Sequence, residues 1–118
     1  MINIRITLPG IPRSLNAFAG RRNIWEYREE KQHWTDLVCL LGRSQRPTKP
    51  LDKAVVTISY RFPDKRRRDP DNYNGKMLLD GLTQAGIIAD DSFQHIKLIL
   101  TAEAPGPART TIFVKEML

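Results

Sequence analysis

Residues 64–91 organise the chain, and they read DKRRRDPDNYNGKMLLDGLTQAGIIADD. A run of four cations is followed by two carboxylates spaced two residues apart, Asp69 and Asp71. Apolar residues at helical spacing then lead to a second acidic pair, Asp90 and Asp91. We interpret the basic residues as a surface that holds a polyanion, and the carboxylates as ligands of a metal ion that acts on it.

Hydrophobic periodicity predicts regular elements before and within this stretch. Residues 2–8 alternate apolar and polar side chains, as a strand with one buried face does. Residues 54–62 are rich in β-branched and aromatic residues at alternate positions, which predicts a second strand. Apolar side chains at i, i+3, i+4 and i+7 predict one helix from about Glu26 to Gly42 and another after Asn72 that ends near Gly86.

Two more strands are predicted at residues 93–103 and 109–116, separated by a turn rich in Pro and Gly. We expect these two strands to form an antiparallel hairpin. The order strand, helix, strand, helix, strand, strand predicts an α+β fold in which two helices pack on a four-stranded mixed sheet. A chain of 118 residues is long enough for one compact domain, so we expect residues 1–118 to be a single domain.

Composition narrows the class of protein. Hydrophobic residues at 41% and charged residues at 27% are typical of a folded globular protein. The net charge of +6 favours a negatively charged partner, with nucleic acid first among the candidates. The single cysteine, Cys39, excludes an internal disulfide and a Cys-rich zinc site. With no signal-peptide pattern and no apolar run of about 18 residues, we expect a cytoplasmic protein without membrane contact.

The acidic residues have two interpretations that spacing leaves open. Carboxylates about 4 Å apart repel by roughly 4 kcal/mol at an effective dielectric near 20, so a cluster needs either an arginine or a metal ion beside it. Asp69, Asp71 and Asp91, with Asn72 nearby, are oxygen ligands suited to Mg²⁺ or Mn²⁺ and not to zinc. Such an ion activates water, and Lys76 would then stabilise developing charge or position that water.

This metal site requires the chain to double back. A helix of about 13 residues is roughly 20 Å long, so residues 87–91 must return along it to bring Asp91 beside Asp69. The alternative is that Asp69 and Asp71 cap the helix and pair with the arginines before them, and spacing by itself favours that alternative. Asp80 lies four residues after Lys76, which predicts an intrahelical ion pair.

The same residues carry a resemblance to a known family. The stretch RRRDPDN at 66–72 is followed by Lys76, by LDGL at 79–82, by Ala85-Gly86 and by Asp90-Asp91. Near the N-terminus Thr7-Leu8-Pro9 is followed by Pro12, Ser14 and Asn16. In this order and at this length the set resembles the RusA family of Holliday-junction resolvases, small metal-dependent endonucleases of phages and prophages.

The resemblance implies a function and a set of site residues. It implies that Asp69, Asp71 and Asp91 are the catalytic acids that bind metal, Mg²⁺ or else Mn²⁺, and that Lys76 assists catalysis. It also implies a homodimer that nicks two opposed strands of a four-way DNA junction. Asn72 and Asp90 are lesser candidates. The residues expected to hold DNA are Lys65, Arg66, Arg67, Arg68, Arg13, Asn16, Arg21 and Arg22.

One departure from the family pattern concerns Lys76. The family usually places this lysine four residues after the second aspartate of the motif, whereas Lys76 follows Asp71 by five. Counted back from Asp80 the lysine is in register, so we expect an extra residue in the loop or at the helix start. Two other functions remain open: a structure-selective DNA-binding protein of the same fold without catalysis, and a basic adaptor for an acidic protein.

Overall fold

A computed structural model describes residues 1–18 and 24–118, and it confirms an α+β fold with a four-stranded mixed sheet and two helices. The regular elements follow the predicted order. They are β1 (Asn3–Pro9), α1 (Ile24–Gly42), β2 (Ala54–Arg61), α2 (Lys76–Gln84), β3 (Ile96–Ala102) and β4 (Arg109–Glu116). Short 3-10 turns lie at Leu15–Phe18, Arg43–Gln45 and Pro70–Asn72. None of the described helices is both long and apolar enough to cross a lipid bilayer.

The sheet has the strand order β1-β4-β2-β3, and the expected hairpin of the last two strands is wrong. β3 pairs with β2 in parallel, while β4 lies between β1 and β2 and is antiparallel to both. The physical reason is burial. β4 buries Thr110, Thr111, Ile112 and Val114, whereas β3 buries only Ile96, so the strand with more buried positions lies at the centre and β3 forms an edge.

The two helices and the buried side chains of the strands form one hydrophobic core. The helices approach each other closely at Gly81, where an added Cβ would lie 2.9 Å from the Cβ of Val38. At Gly42, the last residue of α1, an added Cβ would likewise lie 2.9 Å from a side-chain carbon of Ile6 and 2.9 Å from one of Ile87. These close approaches pack α1 against α2 and also directly against Ile87, in the segment that leads to the acidic pair.

The α2 helix is shorter than expected, with nine residues. Two features shorten it: residues 70–72 form a separate 3-10 turn, and Gly75, at φ 76°, sits at the N-cap in the left-handed region. After α2 the chain turns at Gly86, also at positive φ (74°). Leu51 then holds the returning segment, donating to the Ile87 carbonyl at 2.9 Å and accepting from the Ala89 amide at 2.9 Å. Residues 87–91 therefore double back as predicted, and they bring Asp91 to Lys76 at the start of α2 (3.4 Å from Nζ to Oδ2) instead of to Asp69.

Candidate active site

The basic run begins with a turn organised by Asp64. The Asp64 carboxylate accepts a hydrogen bond from the Arg66 amide at 3.1 Å and pairs with the Arg68 guanidinium at 2.9 Å. The Arg66 amide hydrogen bond, followed by that of Arg68, lowers the pKa of Asp64 below its usual value. Arg68 also donates to the carbonyls of Asp64 and Arg66, and its guanidinium lies 4.5 Å from the centre of the Phe62 ring. Arg68 therefore holds the turn together.

The other cations of the run project into solvent. The side chains of Arg66 and Arg67 are 83% and 89% exposed, against 17% for Arg68. Lys65 is also exposed. Of the four predicted DNA-binding cations in this run, three are accessible to a polyanion, while Arg68 serves mainly to order them.

Asp69 and Asp71 lie at the 3-10 turn and do not cap α2. Asp69 is the N-cap of that turn without a side-chain capping bond, and its Oδ1 accepts from Arg67 Nε at 3.2 Å. Asp71 lies within the turn and is exposed. At the start of α2 it is Asn74 Oδ1 that accepts from the Lys76 amide, at 3.0 Å. Of the capping alternative, only the pairing of an aspartate with the arginine run is present.

Lys76 brings two distant acids together. Its Nζ lies 2.9 Å from Asp80 Oδ1 and 3.4 Å from Asp91 Oδ2, which is fifteen residues further along the chain. The hydrogen bond to Asp80 is the main cause that raises the pKa of Lys76; the charges of Asp80 and Asp91 reinforce it and partial burial opposes it. The predicted Lys76–Asp80 pair is confirmed. The α2 helix starts at Lys76 itself, so residues 73–75 lie before it in the loop.

Lys31 also contacts an acidic residue of the candidate site, and the sequence did not reveal this contact. Its Nζ lies 3.2 Å from Asp80 Oδ2, so Asp80 bridges a lysine of α1 and a lysine of α2. The Asp80 side chain is only 17% exposed. Lys31 falls on the polar side of an amphipathic pattern, and nothing in its local sequence indicates a partner 49 residues away.

Two of the three candidate carboxylates, Asp69 and Asp91, have cationic partners from the protein, which is one of the two ways in which an acidic cluster can remain ionised. Arg67 pairs with Asp69, and Lys76 pairs with Asp91. Across residues 1–18 and 24–118, no three side chains of Asp, Glu, His or Cys lie close enough to hold one metal ion. The oxygen donors themselves suit a hard divalent ion, but a shared ion would require the loop at 69–75 and the returning segment to approach each other.

Asp90 belongs to the turn that presents Asp91. It is exposed, and hydrogen bonds from the Asp91 amide and then from the Ser92 side chain lower its pKa below the usual value. These local partners give Asp90 a role in shaping the end of the returning segment.

The N-terminal loop lies against the basic run. Arg13 is held to α1, since its amide donates to Glu30 Oε2 at 2.8 Å and its guanidinium is 3.5 Å from Glu30 Oε1. Asn16 is exposed, and it lines a polar pocket of about 270 Å³. This polar pocket is formed by Ser14, Asn16, Arg67, Arg68, Asp69, Asn72 and Tyr73. Arg21 and Arg22 lie outside the described residues.

The loop before α2 presents a cationic run beside carboxylates, some of them paired and some exposed. On a mixed sheet with two helices, this arrangement defines a candidate site for binding and processing nucleic acid. Comparison with known proteins gives the family. The chain is 32% identical over 98 residues to the crossover junction endodeoxyribonuclease rusA of Enterobacteria phage HK97, covering 80% of this chain and 81% of that relative. No profile of a protein family matches the chain. On this similarity, the chain belongs to the RusA family.

Proposed function

We propose that this protein is an endonuclease that resolves four-way DNA junctions by paired symmetrical nicks. The observation that carries the proposal is the contact between Lys76 and Asp91, 3.4 Å apart. It joins two separate parts of the motif by which the chain resembles its family, Lys76 and the closing acidic pair, and it places a cation beside a candidate catalytic acid. The phage relative is itself named as a crossover junction endodeoxyribonuclease.

We assign the metal-binding role to Asp69, Asp71 and Asp91, with Mg²⁺ as the expected ion and Mn²⁺ as a substitute. Such an ion, when bound, supplies an activated water and offsets negative charge on the phosphodiester. Lys76 contributes a positive charge, held in place by Asp80, that would stabilise charge developing on the phosphate. Exchange of the Arg67 and Lys76 ion pairs for phosphate contacts would free Asp69 and Asp91 for the ion.

DNA would be held by the accessible cations. Lys65, Arg66 and Arg67 project from the turn beside Asp69, and the polar pocket extends this surface to Asn16 of the N-terminal loop. Contacts of Lys and Arg with phosphates give affinity that depends on salt and not on sequence. The net charge of +6 favours the encounter with DNA.

We further propose that the chain acts as a homodimer of one-domain subunits. Each subunit offers one acidic site and hence one cut. Symmetrical resolution of a four-way junction needs two related cuts, and a two-fold axis supplies them.

The test compares wild-type protein with Asp71→Asn on labelled four-way junctions, with and without Mg²⁺. Asp71→Asn should abolish nicking while junction binding stays the same or tightens, because a negative charge near the DNA is removed. Asp36→Asn is the matched control: it makes the same charge change on the exposed side of α1, where Asp36 accepts from Gln32 at 2.7 Å. Nicking by Asp71→Asn at the wild-type rate would refute the catalytic assignment.

A junction-binding protein without nuclease activity is the second candidate. One observation favours it: among the described residues, no three acidic, His or Cys side chains lie close enough to hold one metal ion. That candidate predicts tight, salt-dependent junction binding by the wild type and no nicking in either Mg²⁺ or Mn²⁺. The same assay therefore decides between the two functions.

A further inference from the structure

A second pocket, with aromatic walls, adjoins the polar pocket at Asp69. Its volume is about 150 Å³. This aromatic pocket is lined by Tyr60, Phe62, Arg68, Tyr73, Leu100 and Ala102, with Asp69 at its border. It lies where β2 and the edge strand β3 meet the 3-10 turn, so it is open to solvent at the edge of the sheet.

The walls present aromatic surface. Phe62 and Tyr73 are half-buried, with ring centroids 5.1 Å apart and planes inclined at 74°. Tyr60 is buried, and its ring centroid lies 5.7 Å from that of Phe62 and 5.9 Å from that of Tyr73. Burial raises the pKa of the Tyr60 phenol, which therefore stays neutral. The Arg68 guanidinium on Phe62 adds a cation at the margin.

The aromatic pocket and the polar pocket are neighbours of opposite character. Arg68, Asp69 and Tyr73 line both. A nucleotide has the same two parts, an anionic phosphate and a planar base with an apolar face. If one phosphate of a DNA strand lies at the arginines of the polar pocket, the base of the same nucleotide is within reach of the aromatic walls.

We propose that the aromatic pocket receives one unstacked base of the DNA strand that is to be cut. The inference rests on the proposed function and adds to it a means of recognising the junction. Every base has a π face, so aromatic walls accept any base without reading its identity. Removing a base from the stack costs least where stacking is already interrupted, as it is at the exchange point of a junction. The pocket would therefore select for junction geometry over continuous duplex.

The test uses four-way junctions in which 2-aminopurine replaces one base at a time around the exchange point. The emission of this base reports a change in its stacking. Binding is measured in EDTA so that the DNA stays intact. Wild-type protein should change the emission at one or more positions, and the change should saturate together with binding.

Two variants alter the pocket in different ways. Phe62→Leu replaces an aromatic wall by an apolar side chain, and Ala102→Leu fills the pocket from an exposed position of the edge strand. Each should remove the emission change and weaken junction binding by about 5- to 150-fold, the range for one stacked base. Phe113→Leu is the control, since Phe113 is an exposed aromatic residue (40%) of β4 that does not line the pocket.

The outcomes separate this inference from the proposed function. If the wild type binds and nicks junctions but both variants behave like Phe113→Leu, the pocket is not a base site and the endonuclease function stands. If Phe62→Leu and Ala102→Leu convert a dimer into a monomer in sedimentation and leave the emission change intact, the pocket holds a second copy of the chain and the inference fails. If the wild type neither binds nor nicks junctions, both proposals fail.

Discussion

Lys76 donates a 2.9 Å hydrogen bond to Asp80, one turn further along α2, and the accepting carboxylate is largely buried. An exposed pair at this spacing contributes only about 0.3–0.5 kcal/mol. Here the pair has a further role because Lys31 of α1 contacts the second oxygen of the same carboxylate. Two helices therefore fix the direction of the Lys76 side chain, whose amine reaches Asp91 of the returning segment.

Asp80→Asn should lower the rate of junction nicking by about 10- to 100-fold, since a displacement of about 1 Å at a catalytic group has effects of this size. The amide has no charge with which to hold both lysines, so the Lys76 amine is no longer directed at Asp91. Junction binding should be unchanged. Single-turnover nicking assays measure the rate separately from binding, and Asp36→Asn serves as the control helix carboxylate. Equal rates for Asp80→Asn and wild type would contradict this role.

The titration of Lys76 tests the same contact by another route. Its folded pKa is raised above the reference value of 10.5, chiefly by the hydrogen bond to Asp80. The stability that its ion pairs contribute is therefore fully present below about pH 10.5 and is lost as the pH rises through the folded value. An NMR titration of the Lys76 side chain should show an inflection above 10.5 in wild type and a lower one in Asp80→Asn. Asp36→Asn should leave the inflection of Lys76 at the wild-type pH.

Arg67→Ala should weaken junction binding and flatten its salt dependence. The Arg67 side chain is 89% exposed beside Asp69, in a position to contact a phosphate. Loss of one phosphate contact reduces the slope of log K against log salt by about 0.9. Arg5→Ala is the matched control, because Arg5 lies on β1 next to Phe113, 5.6 Å from its ring. An unchanged slope for Arg67→Ala, or an equal loss for Arg5→Ala, would exclude a specific role of Arg67 in DNA binding.

Gly75→Ala should destabilise the fold more than Gly86→Ala does. Both glycines have positive φ, which costs a residue with a Cβ about 1–2 kcal/mol. At Gly75 an added Cβ would also overlap the side chain of Ile58, and overpacking adds about 1–3 kcal/mol. At Gly86 the nearest atom is 3.5 Å away, on the flexible side chain of Arg46. Urea unfolding measures the free energy of unfolding of both variants. Equal losses of stability would show that the positive φ alone, without the Ile58 overlap, sets the cost of Gly75→Ala.

The local elements were predictable from local pattern. The alternation of residues 2–8 and 54–62 and the helical spacing of Trp34, Leu37 and Val38 identified β1, β2 and α1. The stretch 64–91 likewise pointed to the candidate site, and the pairing of Lys76 with Asp80 followed from their spacing on a helix. Each of these inferences depends on residues within about two turns or one strand of each other, where the geometry of helix and strand is known in advance.

Only the tertiary structure decided how these parts meet. The pattern of residues 93–116 suggested a hairpin, but the burial of Ile112 and Val114 places β4 at the centre of the sheet and β3 at its edge. The Lys31–Asp80 contact joins side chains 49 residues apart on separate helices. The sequence by itself determined the order of helices and strands and the charged groups of the candidate site. Which strands pair, and which cation meets which carboxylate, depended on burying one common core, because such contacts join residues that are distant along the chain.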